Sequence, residues 1–218
     1  MDVRVVLAAA PLFVSAGAEQ LDMLAAAAFP RRLAKGQILF VEGERSDHLY
    51  VLASGRLKIV VASQHGDELL LAVLSVGESV GELGMLDGQP RSATAEALDD
   101  VELIAIPAET VRSVLAASGS LALAWAQDLA LTVRRLTGSA ADLVFLDLPR
   151  RLAKLLIAGG DSEVHLGMSQ SEVAARLGVT RQSLNRVLSG FTRRGWIRVD
   201  GSTVALCDRA ALARFAGS

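Results

Sequence analysis

The chain has 218 residues, 51% hydrophobic, 21% charged and 4% aromatic, a balance that excludes intrinsic disorder and leaves aliphatic side chains to fill its cores. That length accommodates two domains, since single domains commonly run to roughly 100–150 residues. The net charge of −2 conceals an asymmetry: residues 1–148 carry 11 Lys/Arg against 19 Asp/Glu (−8), whereas residues 149–218 carry 11 against 5 (+6), so a polyanion-binding surface is expected at the C-terminal end.

The apolar run over residues 5–15 is interrupted by Pro11 and falls well short of the ~20 residues that span a bilayer, so no membrane segment is expected and the chain reads as cytoplasmic. From residue 29 to 106, short runs of Val, Ile and Leu alternate with Gly36, Gly43, Gly55, Gly66, Gly77, Gly81, Gly84 and Gly88. This is the pattern of strands joined by tight turns. Residues 49–52, 57–61, 69–74 and 101–106 are the clearest strands, and many short strands in succession predict a jelly roll or sandwich.

Residues 107–146 change character: Pro107 can open a helix, and one long helix is predicted. Along it Ala122, Trp125, Leu129, Thr132, Leu136, Ser139 and Leu143 recur at alternating steps of three and four, a seam suited to a parallel partner helix and so to a homodimer. The competing reading is that this face covers the β-domain. Pro149 breaks the helix and marks a boundary. The expected organisation is thus a β-domain over residues 1–108, a helix with hinge over 109–148 and a C-terminal domain over 149–218.

Within the β-region, Gly81-Glu82-Leu83-Gly84 is followed by Arg91-Ser92-Ala93. A carboxylate only accepts hydrogen bonds, which suits a ribose hydroxyl, while a guanidinium fork matches two phosphate oxygens. Ser92 can add a hydroxyl and an amide, Ala93 leaves room beside the ligand, and glycine at 81 and 84 frees the backbone for close approach or unusual torsions. The constellation suits a cyclic ribose phosphate. The residues between, Asp87-Gly88-Gln89-Pro90, form a loop that returns Arg91 towards Glu82.

In the basic C-terminal part, Ser169-Gln170-Ser171-Glu172 reads as a capping box, with Val173, Ala174 and Leu177 facing inward. Gly178 permits a turn, and Thr180 caps a second helix whose core side is Leu184, Val187 and Leu188. Its outer face carries Arg181, Gln182, Asn185 and Arg186, residue types that pair with guanine and adenine edges in the major groove. Arg193 and Arg194 suit phosphates. Residues 196–199 and 202–206, turning at Asp200-Gly201, predict a wing. His48, His65 and His165 stand singly, and with one cysteine, Cys207, no disulfide, metal site or catalytic grouping is expected.

The cassette from Gly81 to Ala93 and the helix-turn-helix from Ser169 to Leu188 together resemble the cyclic-AMP receptor (CRP/FNR) family of bacterial transcription regulators over nearly the whole chain. The resemblance implies an α+β protein: an N-terminal cyclic-nucleotide-binding β-roll, a long dimerisation helix and a C-terminal winged helix-turn-helix. It also implies a homodimer that binds double-stranded DNA and RNA polymerase, with cyclic AMP or cyclic GMP as effector and no metal. Gly81, Glu82, Leu83, Arg91, Ser92 and Ala93 would line the ligand, and Leu136-Thr137 would stand where relatives place a Thr-Ser pair that reads the base. Ser169, Thr180, Arg181, Gln182, Asn185, Arg186, Arg193 and Arg194 would face DNA. Leu136 cannot hydrogen-bond a base but adds apolar packing at the seam, which predicts a paired-helix state that depends less on ligand. Gln182, where the best-known relative has glutamate, predicts a different half-site. The competing functions are a regulator of this family with another effector or none, and a nucleotide-binding module that controls a protein partner.

Overall fold

The computed structural model describes residues 2–63, 68–165, 169–201 and 203–217. The chain forms two compact units, residues 1–62 with 71–133 and residues 63–70 with 134–218. Among the described residues no single helix is long and apolar enough to cross a membrane.

The first unit opens with helices that the sequence reading did not resolve. Asp2 caps α1 (Val3–Ala9) by accepting from the amides of Arg4 and Val5, and a 3-10 turn at Pro11–Phe13 leads to α2 (Ala18–Ala27). There follow β1 (Phe29–Leu33), β2 (Ile38–Phe40), β3 (His48–Ser54), β4 (Leu57–Ala62), β5 (Glu68–Leu74) and β6 (Ser79–Val80). Next come a short helix α3 (Glu82–Asp87) and strands β7 (Thr94–Ala97) and β8 (Val101–Pro107).

The strands make two four-stranded sheets, β1-β8-β3-β6 and β2-β7-β4-β5. Successive side chains of a strand point to opposite faces, and β3 uses both. Tyr50 and Leu52 meet Phe40, Leu57, Val80, Leu103 and Ala105 between the sheets. Leu49 and Val51 meet Ile104 and Ile106 on the other side, where the helices pack. The predicted jelly roll is therefore a two-layer β-roll with a helical coat on one face.

The single helix predicted over residues 107–146 is two helices. α4 (Ala108–Ala117) and α5 (Gly119–Phe145) meet at Ser118 with a bend of 114°. The physical reason lies in burial: Val111 and Val114 of α4 and Leu121 and Trp125 of α5 enter the same core, which a straight helix could not allow. Trp125, placed at the dimer seam from sequence, is 2% exposed within its own unit. Its Nε1 donates to the Leu12 carbonyl at 2.8 Å, and its ring lies 5.9 Å from that of Phe13. For this end of the helix the competing reading, a cover for the β-domain, is the one observed. Beyond Trp125, Leu129 and Thr132 are half-buried, while Leu131, Val133, Leu136, Leu143, Val144 and Phe145 are exposed.

In the second unit Asp147 accepts from the Arg150 amide and starts α6 (Leu148–Gly159), so Pro149 stands in the first turn of a new helix, beyond the end of α5 at Phe145. β9 (Glu163–His165), α7 (Gln170–Arg176), α8 (Arg181–Arg193), β10 (Ile197–Asp200), β11 (Thr203–Leu206) and α9 (Arg209–Ala216) complete it. The sheet order is β10-β11-β9, a hairpin with a third strand that the sequence reading lacked. Leu152, Leu156, Val173, Leu184, Leu188, Phe191 and Leu212 form its core.

The Trp125 indole is a buried donor with one acceptor, so Trp125→Phe leaves the Leu12 carbonyl unpaired. Urea unfolding should show a loss of about 1–3 kcal/mol beyond the small change in apolar volume.

Candidate functional site

The cassette predicted from Gly81 to Ala93 is built around α3. Gly81 caps this helix with φ 96° and Gly88 ends it with φ 73°, both in the left-handed region. A Cβ on Gly81 would also collide with the Arg91 guanidinium. Gly84 serves a different end from the one expected: it is buried, and a Cβ there would collide with the Gln89 carbonyl and the Ser46 side chain. Its role is to seat α3 on the neighbouring loops.

Arg91 is held at both levels of the chain. Its amide donates to the Glu44 carbonyl and its carbonyl accepts from the Gly43 amide, each at 2.8 Å. The residue as a whole is 4% exposed. Nη1 donates to the Gly81 carbonyl at 3.1 Å and Nη2 to the His48 carbonyl at 2.7 Å, while Nε has no acceptor. The guanidinium carbon lies 4.2 Å from the Phe40 ring centre and 5.6 Å from that of Tyr50. Burial holds its pKa below the usual value, against Tyr50, Asp47, Glu82 and Glu44. An arginine remains a cation regardless.

Glu82 begins α3, half-buried. Burial raises its pKa above the usual carboxylate value; its own amide opposes this, Asp128 on α5 reinforces it, and the Gly81 amide and Arg91 oppose it. Glu82 and Arg91 therefore feel each other's charge without forming an ion pair among the described residues. Ala93 is buried, whereas Ser92 and Leu83 are exposed. Leu136 and Thr137 lie on α5, both exposed. His48 sits beside Phe29 and Tyr50, and burial lowers its pKa, with Arg91 and Arg31 adding to that effect against Asp47.

The reader elements follow the expected plan. The Ser169 hydroxyl accepts from the Glu172 amide at 3.3 Å and the Glu172 carboxylate accepts from the Ser169 amide, closing the capping box at α7. Gly178 turns the chain with φ 64°, and the Thr180 hydroxyl accepts from the Ser183 amide at 3.2 Å to start α8. Leu184, Leu188 and Phe191 are buried on one side of α8. Arg181, Gln182 and Arg186 are exposed on the other, with Asn185 half-buried. Arg193 is exposed; Arg194 is exposed too, but its guanidinium carbon lies 4.9 Å from the Trp196 ring centre and 5.9 Å from that of Phe215. The wing is the β10–β11 hairpin; Ser202, like His65 and Gly66, lies outside the described residues.

Sequence reasoning missed Phe40, Tyr50 and the His48 carbonyl, which surround Arg91 from two other strands. The one available signal was scarcity: Tyr50 is the chain's single tyrosine. Among the described residues no group of three or more His, Cys, Asp or Glu side chains is placed to hold a metal ion.

Two family models match this architecture: the cyclic nucleotide-binding domain over residues 30–118 and the Crp-like helix-turn-helix domain over residues 150–215. The CRP-like cAMP-activated global transcriptional regulator of Mycobacterium tuberculosis is 34% identical over 195 residues, 85% of this chain and 85% of its own. The cyclic AMP receptor protein of Thermus thermophilus is 33% identical over 214 residues, covering 94% and 96% of the two chains. A solved CooA variant from Carboxydothermus hydrogenoformans shares the fold with a TM-score of 0.80 over 95% of each chain, at 22% identity. The two matched segments contain the cassette and the capped reader helices, and the chain belongs to the CRP/FNR family of transcription regulators, which are not enzymes: a cyclic nucleotide-binding domain followed by a DNA-binding helix-turn-helix.

Proposed function

We propose that this chain is a homodimeric, cyclic AMP-responsive transcription regulator that acts on double-stranded DNA in the cytoplasm, with RNA polymerase as its downstream partner. The observation that carries the sensor half is that the Arg91 guanidinium donates to the carbonyl of Gly81, the left-handed turn residue that Glu82 directly follows at the start of α3. Relatives described as cAMP-activated or as cyclic AMP receptors favour that nucleotide over cyclic GMP.

In this reading the Arg91 N–H edge and Ser92 take the cyclic phosphate, Glu82 accepts from the ribose hydroxyl, and the Gly81 backbone, Leu83 and Ala93 shape the wall. Leu136 and Thr137 face the base from the paired helices. The row Leu129, Val133, Leu136 and Leu143 supplies the dimer seam, since its larger side chains are exposed in the single chain. Domain limits at residues 1–108, 109–148 and 149–218 suit these roles. Arg181, Gln182, Asn185 and Arg186 read base edges, while Ser169, Thr180, Arg193 and Arg194 bind phosphates. The exposed apolar surface of Leu136 also supports pairing ahead of ligand, so that the apo dimer keeps part of its operator affinity.

Each part has its test. Arg91→Ala should weaken cyclic AMP binding by at least about tenfold in calorimetry, because charge-assisted contacts to phosphate are lost. Arg181→Ala and Arg186→Ala should each cost ~1–3 kcal/mol of operator discrimination and leave cyclic AMP affinity intact; unchanged operator binding would favour a protein partner instead.

Glu82 makes the pH dependence specific. Its folded pKa is raised, so the folded state binds more protons than the unfolded one, and stability falls as pH rises from the usual carboxylate pKa through the raised one. Across the same window the carboxylate forms and cyclic AMP affinity should rise. Glu82→Gln should therefore flatten both profiles, making the apo protein more stable at pH 7 and the nucleotide weaker; unaltered profiles would exclude Glu82 as the ribose acceptor.

A further inference from the structure

We propose that Phe40 positions the Arg91 guanidinium for the effector phosphate, holding the cation in place while its N–H edge changes partners. The proposal rests on Arg91 being the phosphate ligand. Phe40 is 7% exposed and its ring centre lies 4.2 Å from the guanidinium carbon. The backbone keeps them together: Phe40 ends β2 against Ala95, and Gly43 and Glu44, just beyond it, carry the two backbone hydrogen bonds to Arg91.

A guanidinium is planar, and its N–H groups point outward in that plane. The carbonyls of Gly81 and His48 occupy the edge, so they compete with a phosphate for the same donors. The Phe40 ring lies against the guanidinium carbon and, having no hydrogen-bond acceptor, uses none of them. A phosphate oxygen, being charged, is a stronger acceptor than a carbonyl, so exchange along the edge is favourable while the ring contact persists. Nε, which has no acceptor, shows that the edge is not saturated. Tyr50, stacked 6.0 Å from Phe40 at an interplanar angle of 27°, has its ring centre 5.6 Å from the same guanidinium carbon. A cation kept in place in both states has less freedom to lose when ligand arrives.

Leucine at position 40 would fill the space but present no π face. In the full-length chain, Phe40→Leu should weaken cyclic AMP binding by roughly 3- to 10-fold in calorimetry, the loss expected when one long side chain must be ordered on binding instead of beforehand. Phe40→Tyr should keep affinity within about threefold of wild type. A double-mutant cycle of Phe40→Leu with Arg91→Met, read by urea unfolding without nucleotide, should show the two sites coupled. Wild-type affinity in Phe40→Leu, equal losses in Leu and Tyr variants, or an additive cycle would each overturn the proposal. If wild type binds neither cyclic AMP nor cyclic GMP, the phosphate role of Arg91 fails; the unfolding cycle, which contains no nucleotide, still decides whether the ring holds the cation.

Discussion

A buried arginine, Arg91 at 4% exposure, is the constraint around which the β-roll is arranged. Removing such a cation from water is costly, and here two backbone carbonyls and an aromatic ring offset part of that cost while Nε is left without an acceptor. Each of those partners comes from a different part of the chain: Gly81 from the turn before α3, His48 from the start of β3, Phe40 from the end of β2. The left-handed Gly81 is therefore required twice, by its torsion and by the cation beside it. A side chain that must be buried to be placed and must stay hydrogen-bonding to function calls for partners that separate these two demands.

The second unit meets a related demand with the same chemistry. Arg194 lies over Trp196 and Phe215, rings that also touch Phe191, so a cation next to the wing is located by aromatic rings while remaining exposed. With few aromatic residues in the chain, these clusters are concentrated where arginines are fixed. The charge asymmetry between the two parts of the chain adds a longer-range effect: the basic end draws a polyanion, while the acidic end does not compete for it.

Legibility followed the range of the interactions. The capping box at Ser169, the Thr180 cap, the Gly178 turn and the wing are short-range devices, and they stand where sequence reasoning put them. The β-pattern was readable for the same reason, through glycine spacing and runs of branched residues. The bend at Ser118 was not, because helical periodicity runs through it and only a common core for Val111 and Trp125 demands it. Heptad spacing likewise could not separate Trp125, whose indole finds Leu12, from Leu136, which is exposed. Within the cassette the residue types were legible, whereas their surroundings depended on β2 and β3 arriving beside Arg91, a matter of sheet order that no local motif encodes.

The most direct measurement is a crystal structure of the full-length protein with cyclic AMP. The account predicts that Nη1 and Nη2 of Arg91 leave the carbonyls of Gly81 and His48 for phosphate oxygens, with the Phe40 ring still beneath the guanidinium and Glu82 on the ribose. A complex in which Arg91 keeps both carbonyls and the nucleotide is bound without it would contradict the account.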